Sequence, residues 1–129
     1  MPIEEKLIIE PWDDGEGNSP IEDFLAELPA KSFRYIVRKR EYYEKRTVQQ
    51  LKNNRLFLED IKGTDSKLWE LKFRSSPQYR AVCIIRGNSI IMLVMFKGSG
   101  SEGEVMRHVP KALERSIAWD ERYLSSNDQ

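Results

Sequence analysis

The feature that most constrains the fold is a change of hydrophobic period in the second half of the chain. Within residues 68–74, apolar side chains alternate with charged ones: Trp69, Leu71 and Phe73 against Glu70, Lys72 and Arg74. That period of two is typical of a strand with one wet face. Two more apolar segments, 79–85 and 89–96, flank Gly87-Asn88, a pair that favours a tight hairpin. The pattern predicts three consecutive antiparallel strands.

Helical spacing surrounds these strands. Ser19, with a proline next and a glutamate three residues on, predicts a helix that runs to Leu28. Residues 30–51 lack glycine and proline and predict a second helix, whose buried stripe is Phe33, Ile36, Val37, Arg40, Tyr43 or Glu44, and Thr47 or Val48. Residues 104–124 predict a last helix that Pro110 either kinks or restarts, with Val105, Val109, Ala112, Leu113, Ser116 and Ile117 on one face.

The predicted order is a possible strand, two helices, three strands and a helix, which indicates an α+β domain. The length of 129 residues suits one domain spanning 1–129. Within it, residues 1–18 are expected to form an acidic strand and loop, and residues 125–129 a frayed tail.

Several classes of protein are disfavoured by what the chain lacks. No apolar run approaches the roughly 18 residues of a membrane span, and the first residues do not resemble a signal peptide, so we expect a cytoplasmic protein without a membrane partner. A single Cys83 and a single His108 exclude an internal disulfide and any Cys/His zinc set. We therefore expect neither a metal nor a cofactor.

The charges are balanced overall but separated along the chain. There are 21 basic and 21 acidic residues, yet residues 1–30 carry nine acids and one lysine, and residues 31–55 carry nine basic residues and two acids. The basic helix either faces RNA, with Arg38 and Lys45 among its substrate-binding residues, or is neutralised by the acidic segment beside it.

A second set of cations lies on the predicted strands. A two-residue turn at Gly87-Asn88 would place Arg80 opposite Met95, with Lys97 as its diagonal neighbour on the same face. Whether Lys72 and Arg74 join them depends on the length of the preceding turn, which the sequence leaves open. The alternative is that Lys72 and Arg74 are only the solvated positions of an amphipathic strand.

Clustered cations of this kind fit phosphate binding. Metal-independent RNA cleavage needs cations that stabilise the charged phosphorane and a group that moves a proton. Arginine clamps a phosphate through two hydrogen bonds, and lysine acts as a point charge or as an acid. The chain shows no carboxylate pair or metal-ligand set typical of a glycosidase, a zinc hydrolase or a two-metal nuclease.

Four segments in order resemble the RelE/HigB superfamily of type II toxins, and most closely its phage-derived HigB-like branch. They cover roughly residues 56–123: Lys67-Leu68-Trp69-Glu70-Leu71-Lys72-Phe73-Arg74, Gln78-Tyr79-Arg80-Ala81-Val82, Ile90-Ile91-Met92-Leu93-Val94-Met95-Phe96-Lys97 and Lys111-Ala112-Leu113-Glu114-Arg115. The resemblance implies an α+β, RelE-like fold, with two N-terminal helices packed on a twisted antiparallel sheet of three to four strands and a C-terminal helix. It also implies a toxin that cleaves mRNA on the ribosome and is held inactive by a cognate antitoxin protein.

The resemblance assigns roles residue by residue. Arg80 corresponds to the clamp on the phosphate and transition state, Lys72 and Lys97 to substrate positioning or proton transfer, and Arg74 to an adjunct in substrate binding. The chain departs from the family after Lys97, where residues 98–103 read Gly-Ser-Gly-Ser-Glu-Gly instead of carrying further lysines. His108 and Tyr123 are the possible acid or base.

Three functions remain open from the sequence. The first is a toxin-type endoribonuclease acting on mRNA with the ribosome. The second is a non-catalytic RNA-binding or regulatory protein on the same fold. The third is a protein-interaction module whose basic helix engages an acidic partner or the N-terminal segment of the chain itself.

Overall fold

A computed structural model describes residues 6–65 and 67–127 and shows an α+β fold built on one sheet. Its elements are, in chain order, β1 (Ile8–Pro11), α1 (Pro20–Ala26), α2 (Ala30–Glu44), α3 (Val48–Lys52), β2 (Leu58–Asp60), β3 (Trp69–Phe73), β4 (Tyr79–Arg86), β5 (Ser89–Lys97), α4 (Glu102–Arg107) and α5 (Val109–Asn127). The strands lie in the order β1-β5-β4-β3-β2.

Helices cover both faces of the sheet and give the domain two apolar clusters. On one face α1, α2 and α3 bury Ile21, Ile36 and Leu51 against strand residues that include Leu71 and Phe73. On the other face, α4 and α5 pack on the alternate strand residues, and the buried set is Val82, Ile84, Ile91, Leu93, Val105, Val109, Ala112 and Trp119. The near-continuous apolar sequence of β4 and β5 follows from this, because both faces of the central strands are covered.

The predicted sheet of three to four antiparallel strands is wrong in two respects. The sheet has five strands, because residues 58–60 form the short β2, and it is mixed, because β1 runs parallel to β5. The three predicted antiparallel strands are confirmed as β3, β4 and β5.

The predicted register of the hairpin is also wrong near its open end. Arg86 pairs with Ser89 as expected, but a bulge beside Val82 adds one residue to β5. Arg80 therefore lies opposite Phe96 instead of Met95, and Lys97 lies opposite Tyr79. Directly paired residues share a face and neighbours along a strand do not, so Arg80 and Lys97 emerge on opposite faces of the sheet.

The predicted helix over residues 30–51 is two helices. Thr47 begins α3 with a capping box, in which its hydroxyl accepts from the Gln50 amide and the Gln50 side chain accepts from the Thr47 amide. The predicted buried stripe of α2 is partly wrong: Ser32, Ile36 and Tyr43 are buried, whereas Phe33 and Val37 are exposed.

The remaining helix predictions are largely confirmed. The Ser19 hydroxyl caps α1, and the last helical segment restarts at Val109-Pro110. Leu113 and Ile117, predicted on its buried face, are exposed, and Trp119 is buried instead. The last helix, α5, ends at Asn127 and so includes part of the tail predicted for residues 125–129, and residues 128–129 lie outside the described part. None of the helices in the described ranges is both long and apolar enough to cross a membrane.

Candidate phosphate-binding site

One end of the sheet gathers all four cations of the strand motifs. Lys72, Arg80 and Phe96 form one row across β3, β4 and β5, and Phe73, Tyr79 and Lys97 form the next. Arg74 directly follows β3 at the same end. Neighbouring strands lie about 4.8 Å apart, so the backbones of β3 and β5 are separated by about 10 Å here, which is within reach of a short stretch of RNA backbone. We call Lys72, Arg74, Arg80 and Lys97 the cationic end.

Lys72 and Arg80 share one face, which answers the question of turn length left open by the sequence. They are directly paired between β3 and β4. Both are already engaged with carboxylates on that face, however, so their charges are partly compensated before any ligand arrives.

Arg80 is the most enclosed member of the cationic end. Its side chain is 7% exposed and forms an ion pair with Glu70 at 2.7 Å, between Nη1 and Oε2. It also donates to the Gln78 side chain at 2.5 Å and, through Nε, to the Gly98 carbonyl at 3.1 Å. Every edge of the guanidinium therefore has an acceptor, as a buried charge requires.

Lys72 is half-buried in a similar way. Its ammonium lies 2.8 Å from Glu59 Oε1 and donates to the Arg55 carbonyl at 2.8 Å. The hydrogen bond from Lys72 holds the pKa of the Glu59 carboxyl below its usual value, and Arg55, which also pairs with Glu59, adds to the effect. Glu59 is thus ionised near neutral pH and cannot release Lys72 by taking up a proton.

Arg74 and Lys97 are the open cations of the cationic end. Both side chains are exposed, and within residues 6–65 and 67–127 neither forms an ion pair. Lys97 ends the row that also contains Phe73 and Tyr79, and Arg74 directly follows Phe73. Helix α2 fixes the middle of this row, because the Tyr79 hydroxyl donates to the Ser32 hydroxyl at 3.1 Å. The sheet holds the backbone at Arg74 and Lys97 in place, which lowers the cost of ordering these side chains around an anionic ligand.

His108 approaches Arg80's face of the sheet from α4. Its ring stacks on Phe96, with centroids 4.2 Å apart, and Phe96 is the direct cross-strand neighbour of Arg80. Burial, and then the nearby charge of Arg107, lower the pKa of His108 below its ordinary value. The imidazole is neutral at pH 7 and able to accept a proton.

The other predicted site residues lie elsewhere. Tyr123 packs on Trp119, at a centroid distance of 4.6 Å, and lines a cavity with Arg86 and Ser89 at the hairpin end of the sheet. Arg86 at that end lies six residues along β4 from Arg80, which at about 3.3 Å per residue is about 20 Å. Arg38 and Lys45 are exposed on and just after α2.

Glu59, Glu70 and Gln78 are site residues that the sequence interpretation missed. Glu70 could have been found, because it lies two residues before Lys72 on the same strand and hence on the same face. Glu59 could not, because β2 is three residues long and carries no alternating pattern.

The described residues contain no group of three or more His, Cys, Asp or Glu side chains that could hold a metal ion. Comparison of the sequence with known protein families and with curated proteins finds no family model and no curated protein that matches it.

Proposed function

We propose that this protein is a toxin of the RelE/HigB kind: a metal-independent endoribonuclease that cleaves mRNA on the ribosome and is inhibited by a cognate antitoxin. The observation that carries the proposal is the cationic end, where two carboxylate-paired cations, Lys72 and Arg80, lie in one row of the sheet, and two exposed cations lie just beyond it, Lys97 in the next row and Arg74 directly after β3. We also propose that the α+β fold is of the RelE-like type.

The residues divide the chemistry between them. Arg74 and Lys97 hold the phosphates of the RNA backbone, because they are the cations free to do so. Neutral His108 accepts the proton of the attacking 2′-hydroxyl, and Arg80 and Lys72 stabilise the charge that develops on the phosphorane. The bond from phosphorus to the 5′-oxygen then breaks, which leaves a 2′,3′-cyclic phosphate, and the departing 5′-oxygen takes up a proton from solvent water.

The test is mRNA cleavage in a translating extract, together with growth on expression. We expect the wild-type chain to cut message and arrest growth, and co-expression of a small acidic or helix-turn-helix protein encoded next to it to relieve the arrest. Lys97→Ala should lower the cleavage rate at limiting message by about tenfold, the effect of losing one charge-assisted hydrogen bond to the RNA backbone.

Lys67→Ala is the matched control. Lys67 is an exposed lysine just before β3, about 23 Å along the strand direction from Arg74 at about 3.3 Å per residue. The Lys67→Ala substitution removes one positive charge, as Lys97→Ala does, but at the far end of β3, and it should leave cleavage unchanged. Intact message and normal growth with a folded wild-type protein would contradict the proposal.

A second function is favoured by the carboxylates. Glu70 and Glu59 occupy Arg80 and Lys72, the two residues assigned to the transition state, whereas the two residues assigned to binding are open. A non-catalytic RNA-binding protein would show this arrangement. It predicts RNA binding that weakens with salt and with Lys97→Ala, without cleavage under any of the conditions above.

A further inference from the structure

The glycine-rich segment after β5 lies directly over the buried arginine of the cationic end. The Gly98 carbonyl accepts from Arg80 Nε at 3.1 Å. Gly100 has a φ of +82°, and a β-carbon built on it would overlap the guanidinium of Arg80. A larger residue at Gly100 would therefore have to displace the guanidinium of Arg80 and adopt a left-handed φ, which glycine alone takes without strain.

The segment is fastened from its far side by one carboxylate. Glu104 Oε1 accepts from the Gly100 amide at 2.7 Å, and a β-carbon on Gly98 would overlap the Glu104 carboxylate. Glu104 stands in the first turn of α4, so the helix holds the segment down. Both ends of residues 98–101 are anchored: the Gly98 amide donates to the Gln78 carbonyl at 3.0 Å, and the Ser101 hydroxyl caps α4 by accepting from the Glu104 amide at 3.4 Å. Between these anchors the segment is held by its contacts with Arg80 and Glu104, and Ser99 is exposed.

We propose that residues 98–101 form a lid that closes Arg80 to solvent and that must lift before a phosphate can reach the guanidinium. The lid begins immediately after Lys97, the open cation that would bind RNA first. A phosphate that attracts Arg80 competes with the Gly98 carbonyl and Glu70 for the same donors, so binding and lid opening are linked. The claim that the lid regulates RNA binding rests on the proposed function. The claim that it covers Arg80 does not.

Arginine labelling tests the cover without any RNA. Phenylglyoxal, which reacts with accessible guanidinium groups, is added to the folded chain, and peptide mapping follows Arg80 with exposed Arg74 as the internal reference. Wild-type Arg80 should react far more slowly than Arg74. In Gly100→Ala the added methyl and the left-handed φ unseat the lid, and Arg80 should react about tenfold faster.

Gly63→Ala is the matched control, because Gly63 has nearly the same φ of +84° but no atom within 4 Å of a built β-carbon. It carries the same backbone strain without touching the lid, so Arg80 should react as in the wild type. Glu104→Ala removes the fastening without adding an atom. It should also speed the reaction, and it carries the test if Gly100→Ala does not fold.

The outcomes separate the lid from the function. If wild-type Arg80 reacts as fast as Arg74, or if neither Gly100→Ala nor Glu104→Ala speeds its reaction, the lid is overturned. If labelling behaves as expected, binding of a short oligouridylate is measured on the same variants. Severalfold tighter binding by Gly100→Ala, lost again when Arg80→Gln is added, supports the lid as a gate; unchanged binding leaves the cover standing and contradicts its role toward RNA.

Discussion

A single residue, His108, should make the free energy of unfolding depend on pH. Burial and Arg107 lower its pKa in the folded state, while Glu104 acts weakly in the opposite direction. In the unfolded chain it takes up a proton from about pH 6.5 downward, but the folded state resists that proton until a lower pH. The unfolded state then binds more protons, so the free energy of unfolding falls as the pH falls below about 6.5.

His108→Phe keeps a ring stacked on Phe96 and removes the titration. We expect urea unfolding to show that the wild type loses more stability than the variant between pH 7.5 and 5.5. No other histidine is present to contribute in that range. Equal losses in both proteins would show that burial does not disfavour the charged ring.

For single residues, the sequence predicted which cations lie at one end of the sheet, but it did not predict what surrounds each of them. Lys72, Arg74, Arg80 and Lys97 do lie at one end of the sheet, although Lys97 emerges on the face opposite Arg80. The enclosure of Arg80 by Glu70 and Gly98 could not be predicted, because it depends on a turn length and a bulge that leave no mark in the hydrophobic pattern. What looked like four equivalent cations is therefore two open and two engaged ones.

At the scale of elements, β1 shows how this sheet protects an edge. The outward amide of Ile9 donates to Glu44 Oε2 at 3.0 Å, Arg40 donates to the Ile9 carbonyl, and Pro11 has no amide to offer. An exposed strand edge invites pairing with another chain, and here side chains of α2 take those positions.

Glu44→Ala should open this edge. We expect a loss of about 1 kcal/mol in the free energy of unfolding, the usual net value of one hydrogen bond, and faster hydrogen exchange at the Ile9 amide. Glu41→Ala, an exposed site one turn earlier on α2, is the control and should change neither. If both variants behave alike, the contact at Ile9 does not protect the edge.

The elements that the sequence predicted well carry their own local signals. Ser19-Pro20 at the start of α1 and Gly87-Asn88 in the hairpin act through neighbouring atoms. β2 and the parallel pairing of β1 are fixed by contacts with strands 13 and more than 80 residues away, as between Leu58 and Leu71 or between Ile8 and Ser89. Short segments with distant partners show no periodicity from which to infer them.

At the scale of the whole molecule, acidic residues of the loop after β1 stabilise the fold by contacts that do not involve α2. Asp13 pairs with Arg122 of α5 at 3.1 Å, and Asp14 accepts from the amides of Glu16 and Asn18, which shapes the loop. Among the ion pairs of the described residues, none joins this loop to Arg38. Arg38 and Lys45 are exposed, so these two cations are accessible to an anionic partner despite the zero net charge of the chain.

Zero net charge also means that RNA binding should depend on local cations, which salt dependence can count. Each phosphate contact on a single strand contributes about 0.7 to the slope of log affinity against log salt concentration. Removing both open cations of the cationic end, with Arg74→Gln and Lys97→Gln together, should lower the slope for oligouridylate by about 1.4. The same measurement on Arg38→Gln with Lys45→Gln determines whether the RNA continues onto α2.

The charge-matched control is Lys67→Gln with Lys111→Gln, two exposed lysines outside the cationic end and α2. It changes the net charge by the same amount and should keep the wild-type slope, because screened charges far from the contact contribute little. An equal fall in the slope for the control would mean that the RNA responds to total charge alone. The rows of β3, β4 and β5 would then have no special part in binding, and the proposed site would be lost with them.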